Sequence, residues 1–145
     1  MHEITVLFVC PDNGLLSPLA EAYVNAKGLG FVRAFSAGMK QRAAIHPGVR
    51  RLLAETGIRA EALEPKTIDV FQMPMAPRPD MVVFLGGVEI APLPPEWQGS
   101  VSVVHLPLEP RAEGNALQQH REAFQRIRAF ADQELLGDFD ENIAA

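Results

Sequence analysis

One residue in this chain is equipped for nucleophilic chemistry. Cys10, the only cysteine, ends an apolar run from Ile4 to Val9 interrupted only by Thr5, and six residues separate it from the pair Ser17-Pro18. The apolar run predicts a buried strand. Serine is a good N-cap, and proline suits the first helical position because its missing N–H would be unpaired there anyway. The spacing therefore predicts strand, tight loop and helix, with a thiol at the strand's end. Backbone N–H groups of such a loop converge on one point, and a helix N-terminus adds partial positive charge to it. That point suits a phosphate or other small anion. A thiol beside it is expected to have a lowered pKa and to react as the thiolate. The loop residues are Asp12, Asn13, Gly14, Leu15, Leu16 and Ser17. The alternative is that Cys10 is a small buried hydrophobe, as free cysteines often are.

The pattern Cys-x-x-Asn-x-x-x-Ser-Pro-x-Ala-Glu after Val-Leu-Phe-Val resembles the low-molecular-weight protein tyrosine phosphatases and the related thioredoxin-coupled arsenate reductases. Cys10, Asn13, Ser17, Pro18, Ala20 and Glu21 match, and Leu16 stands where the signature Cys-x5-Arg-Ser has arginine. The resemblance implies a small doubly wound α/β domain whose four-stranded parallel sheet has the order 2-1-3-4. It also implies a mechanism. The thiolate attacks phosphorus, the arginine clamps the phosphoryl oxygens, and an aspartic acid protonates the leaving alcohol. Ser36-Ala37-Gly38 resembles the turn beside the anion loop, which makes Ser36 a supporting residue. Glu109-Pro110 falls where the family has Asp-Pro, which makes Glu109 the general acid or else a solvated loop residue.

Three departures act on the anion. Leu16 removes the bidentate guanidinium that fits phosphate. Pro11 removes one amide hydrogen from the cradle, and Asp12 adds negative charge to it. A lost oxyanion donor costs about 10²–10³ in rate, and an arginine on a transferring phosphoryl group is worth roughly 10³–10⁵. The expectation is an eroded phosphate loop, inactive or very weak toward phosphomonoesters, in a protein acting by binding an anion, a protein partner or a second copy of itself. The alternative is an active cysteine-dependent phosphatase with Cys10 as nucleophile, Glu109 as acid and a substitute cation from Arg111, Lys40 or Arg42. An intramolecular arsenate-reductase relay needs a second thiol to form the disulfide, and Cys10 is the only cysteine in the chain.

The remaining elements position this loop. Leu19, Ala22, Tyr23 and Ala26 give the first helix a buried face at helical spacing, with Gly28 at C′. A strand near 31–35 ends in Ser36-Ala37-Gly38. His46-Pro47 opens a second helix with Val49, Leu52 and Leu53 inward and Gly57 closing it. A short helix near 65–71 precedes the prolines of 74–79. The run 81–85 predicts a central strand, and 101–105 another. Trp97 covers apolar surface or lines the site mouth. Asn115 and Gln118 form a capping-box-like start to the last helix, which buries Ala123, Phe124, Ile127, Ala131 and Leu135.

At 145 residues and a formal net charge of −5, this reads as one domain over 1–137 with an acidic, frayed tail over 138–145. The charge argues against nucleic acid as partner. No apolar run approaches a membrane span and no secretory leader is visible. A lone cysteine fits a reducing cytoplasm. No Gly-x-Gly-x-x-Gly follows a strand, and neither cofactor nor metal is expected.

Overall fold

The computed structural model describes residues 3–11, 14–28, 31–40, 44–59, 63–86, 94–108 and 115–136. The elements are β1 (Ile4–Cys10), α1 (Leu16–Lys27), β2 (Val32–Gly38), α2 (Gly48–Glu55), β3 (Met81–Leu85), β4 (Ser102–Leu106) and α3 (Ala116–Phe130). Two 3-10 turns, Ile68–Gln72 and Pro95–Trp97, lie between β2 and β3 and between β3 and β4. A π-helical turn, Ala131–Leu135, continues α3. All strand pairs are parallel and the sheet order is β2-β1-β3-β4, as the resemblance implies.

Why β1 is apolar at every position from Val6 onward follows from its two covered faces. Val6, Phe8 and Cys10 point into a cluster with Leu19 and Val24 of α1, Leu52 and Leu53 of α2, and Phe124 and Ile127 of α3. Leu7 and Val9 point the other way, into a smaller cluster with Phe71, Val82, Phe84 and Trp97. The three α-helices thus share one face. Among the described residues, the second face is roofed by the two 3-10 turns. Trp97, 4% exposed, is a core residue of that roof.

Several expectations hold and several need correction. His46 does act at a helix start: its Nδ1 accepts the Gly48 N–H at 2.9 Å. Gly57, at φ +75°, sits at C′ of α2, with Ile58 N–H donating to the Leu53 carbonyl and Gly57 N–H to that of Ala54, a Schellman closure. The Asn115–Gln118 capping box is present in both directions. Gly28, by contrast, has φ −78° and is needed for closeness: a Cβ there would lie 2.7 Å from the Val32 carbonyl oxygen. Ser36-Ala37-Gly38 is the end of β2 rather than a turn, because Cys10 holds it in register opposite Gly38. The helix near 65–71 is the 3-10 turn Ile68–Gln72, β4 begins one residue later than expected, Ala22 and Ala123 are only half-buried, and Ala26 is exposed. No described helix is long and apolar enough to cross a membrane. The acidic tail over 138–145, with residue 137 before it, lies outside the described residues.

Candidate active site at the end of β1

The chain leaves β1 toward β2 on one side and returns to β3 on the other, so the carboxyl ends of β1 and β3 flank the switch point of the sheet. Cys10 occupies that position, 1% exposed. Beyond the strand ends the pairing continues: the Met39 N–H donates to the Cys10 carbonyl at 3.2 Å and that of Lys40 to the Pro11 carbonyl at 3.0 Å. The far side of the loop is tied by the His46 N–H, 2.8 Å from the Gly14 carbonyl oxygen.

The Ser17 hydroxyl is not the cap of α1. The helix starts at Leu16, and Leu15 takes the N-cap position without a side-chain cap bond. Ser17 is instead fully buried, its Oγ 2.9 Å from Cys10 Sγ and 3.3 Å from the Ala37 carbonyl oxygen, to which it donates. With its proton engaged there, the hydroxyl offers its lone pairs to sulfur, so Cys10 S–H donates in the thiol form. If the thiolate forms, the hydroxyl must turn and donate to it, giving up Ala37. One side chain thereby couples the sulfur's charge state to β2.

Leu16, partly buried, packs against the main core cluster. Its Cδ1 lies 3.0 Å from where a Cβ on Gly86 would sit, so the leucine rests on the bare backbone at the end of β3. Gly86, at φ +74°, suits this place both for its conformation and for the room it leaves.

Ser36 is buried, but its hydroxyl donates to Glu21 Oε1 at 3.1 Å. Lys66 Nζ is 3.6 Å from the same oxygen. Burial pushes the Glu21 carboxyl above its usual range, and Lys66 and Ser36 pull it partly back. Sequence reading singled out Ser36 yet missed this carboxylate–hydroxyl–ammonium unit, since Lys66 is 45 positions from Glu21 and no local pattern joins them. Of the suggested cations, Lys40 lies beside the loop by its backbone bond to Pro11 and is exposed. Asp12, Asn13, Arg42, Glu109 and Arg111 lie outside the described residues. No cluster of three or more metal-ligating side chains occurs among the described residues.

The profile of the low molecular weight phosphotyrosine protein phosphatases matches residues 5–107, and the chain belongs to that family. A curated relative, a glutaredoxin arsenate reductase of Synechocystis, is 32% identical over 92 residues, 63% of this chain and 66% of its own length, just under two thirds. An arsenate reductase solved in its phosphate-binding state superposes with a TM-score of 0.73 at 25% identity, covering 90% of this chain and 95% of its own. The arsenate reductase of Archaeoglobus fulgidus gives 0.63 at 29% identity, covering 86% and 97%. A low molecular weight phosphotyrosine phosphatase from Vibrio cholerae gives 0.71 at 16% identity over 96% and 98%, a likeness of fold alone.

Proposed function

We propose that this member of the phosphatase family has an eroded anion loop and acts by binding rather than by turnover of phosphomonoesters. The observation that carries the reading is Leu16: an aliphatic side chain seated on Gly86 takes the place of the guanidinium that would grip the phosphoryl oxygens. In a family whose chemistry is mostly positioning and charge stabilisation, losing that cation removes the contact on which the rate depends most. Pro11 and Asp12 act in the same direction. Thiol relays of the arsenate-reductase kind find no second thiol within the chain.

A second reading rests on the bond between Cys10 and Ser17. A hydroxyl 2.9 Å from the sulfur is the partner a thiolate nucleophile uses. On this reading the protein is a working phosphatase with Glu109 as acid and Lys40, Arg42 or Arg111 as the cation. Hydrolysis of an aryl phosphate by the wild type and Cys10→Ser separates the two. Binding without turnover gives rates equal to buffer for both proteins. A cysteine-dependent rate far above buffer overturns the first reading.

A further inference from the structure

We infer that the cavity between the first turns of α2 and α3, bordered by His46, Arg51 and His120, is a second anion site that takes the phosphate group of a small monoester. The cavity measures about 280 Å³, and Pro47 and Leu117 line it beside those three side chains. Each of the three brings a donor that the protein leaves unused. The His46 ring spends Nδ1 as the acceptor of the Gly48 N–H at 2.9 Å, so its hydrogen sits on Nε2. Among the described residues, neither Nε2 of His46 nor either ring nitrogen of His120 has a hydrogen-bond partner. The Arg51 guanidinium likewise makes no hydrogen bond or ion pair among them. Glu55, the carboxylate of α2 that feels its charge, is gripped by Arg121 of α3 through both oxygens, at 2.8 and 3.1 Å. That fork takes Glu55 out of play and ties together the two helices that frame the cavity.

The ligand class follows from how these donors are arranged. The two rings stand at 85° to one another with centroids 5.2 Å apart, so their N–H groups lie in different planes. A tetrahedral phosphate, with oxygens facing several ways, can accept from both rings and from a guanidinium. A carboxylate offers its two oxygens in one plane only. Charge points the same way. Among the described residues no carboxylate lines this cavity or the neighbouring one of about 500 Å³, where Arg50 stands beside His46. Burial, and then His46, hold His120 below the usual imidazole range, so that ring enters as a neutral donor and Arg51 supplies the charge. The volume equals about nine waters at roughly 30 Å³ each, more than a bare phosphate fills. Pro47 and Leu117 give the remaining space an apolar wall for the organic part of an ester. The site is built this way whatever the Cys10 loop does.

The test follows the His120 ring signals of the full chain by proton NMR, at constant pH and ionic strength. The probes are inorganic phosphate and phenylphosphonate, whose carbon–phosphorus bond a phosphatase does not hydrolyse. Both are expected to move the signals saturably, phenylphosphonate at the lower concentration. Arg51→Gln should weaken both at least about fivefold, as the loss of one charge-assisted hydrogen bond requires. Arg50→Gln removes the same charge one residue away, from the neighbouring cavity, and should weaken them by less than about twofold, because exposed charges are screened. His120→Phe keeps a ring against His46 without the N–H, and the His46 signals should then report weaker binding of both probes. Signals that move no more with phosphate than with chloride of equal ionic strength overturn the site. Equal weakening in Arg50→Gln and Arg51→Gln overturns it as diffuse charge. Unchanged affinity in Arg51→Gln overturns it by leaving the probe to the Cys10 loop. Binding of phosphate with exclusion of phenylphosphonate overturns the ester. None of these readouts depends on phosphatase activity.

Discussion

Leu16→Arg tests the electrostatic deficit directly. Leu16 is half-buried at the first turn of α1, so removing it forfeits about 1 kcal/mol, roughly half the 1.5–3 kcal/mol of a fully buried leucine. Much of that returns, because an arginine stem can lie along Gly86 while its head reaches the loop. The gain is larger. A clamp worth about 10³–10⁵ in rate corresponds to about 4–7 kcal/mol of barrier at 1.36 kcal/mol per decade. Pro11 and Asp12 stay in place and hold the gain toward its lower end, since groups acting as a unit do not add. The expected outcome is an increase in kcat/KM for an aryl phosphate of at least about a hundredfold, abolished in Leu16→Arg/Cys10→Ser, with phosphate affinity rising in parallel. The thermal midpoint should fall by only a few degrees. A folded Leu16→Arg protein that neither hydrolyses the ester nor binds phosphate better than wild type would refute the reasoning, because the lost guanidinium would then not be what limits the site.

Ser17→Ala leaves the Ala37 carbonyl and the Cys10 sulfur without this buried partner, and should cost about 1–2 kcal/mol in chemical denaturation while slowing thiol trapping at neutral pH. Lys66→Met strands the Glu21 carboxylate. The folded-state pKa of Glu21 is raised, so its contribution is fully favourable below the unfolded value and is lost as pH rises through the folded one. The variant should therefore lose about 1–3 kcal/mol at pH 7 and close to nothing once Glu21 is protonated, and equal losses at both pH values would contradict this. Tyr23 is the only tyrosine, and its hydroxyl donates to Asp132 at 2.7 Å. Burial and Asp132 push the phenol up to about 12, so an ultraviolet titration should find its midpoint there and Asp132→Asn should bring it down. Stability from this group is present below the unfolded value near 10 and declines as pH rises toward 12.

What the sequence disclosed and what it concealed divide along physical lines. β1 and β3 were legible because both their faces are covered, which writes a near-continuous apolar run into the chain. Gly57 and the Asn115–Gln118 pair were legible because caps are local chemistry, settled within a few residues. Ser17 was misread for the same reason. Serine before proline is a strong local signal for an N-cap, but a sulfur seven positions back claims the hydroxyl instead. The strand end at Ser36–Gly38 was read as a turn from its likeness to the family's, whereas it continues the parallel register opposite β1 as far as Cys10. The Glu21–Lys66 contact and the ring pair of His46 and His120 join residues 45 and 74 positions apart, and no periodicity announces such meetings.

The unequal covering of the sheet has an experimental use. The sole tryptophan reports from beneath the thin 3-10 roof, while the sole cysteine faces the three helices. Indole emission and thiol capture therefore watch opposite sides of one four-stranded layer. Followed together through a denaturant series, they would coincide if the layer parts from both coverings at once and separate if the lighter side lifts first.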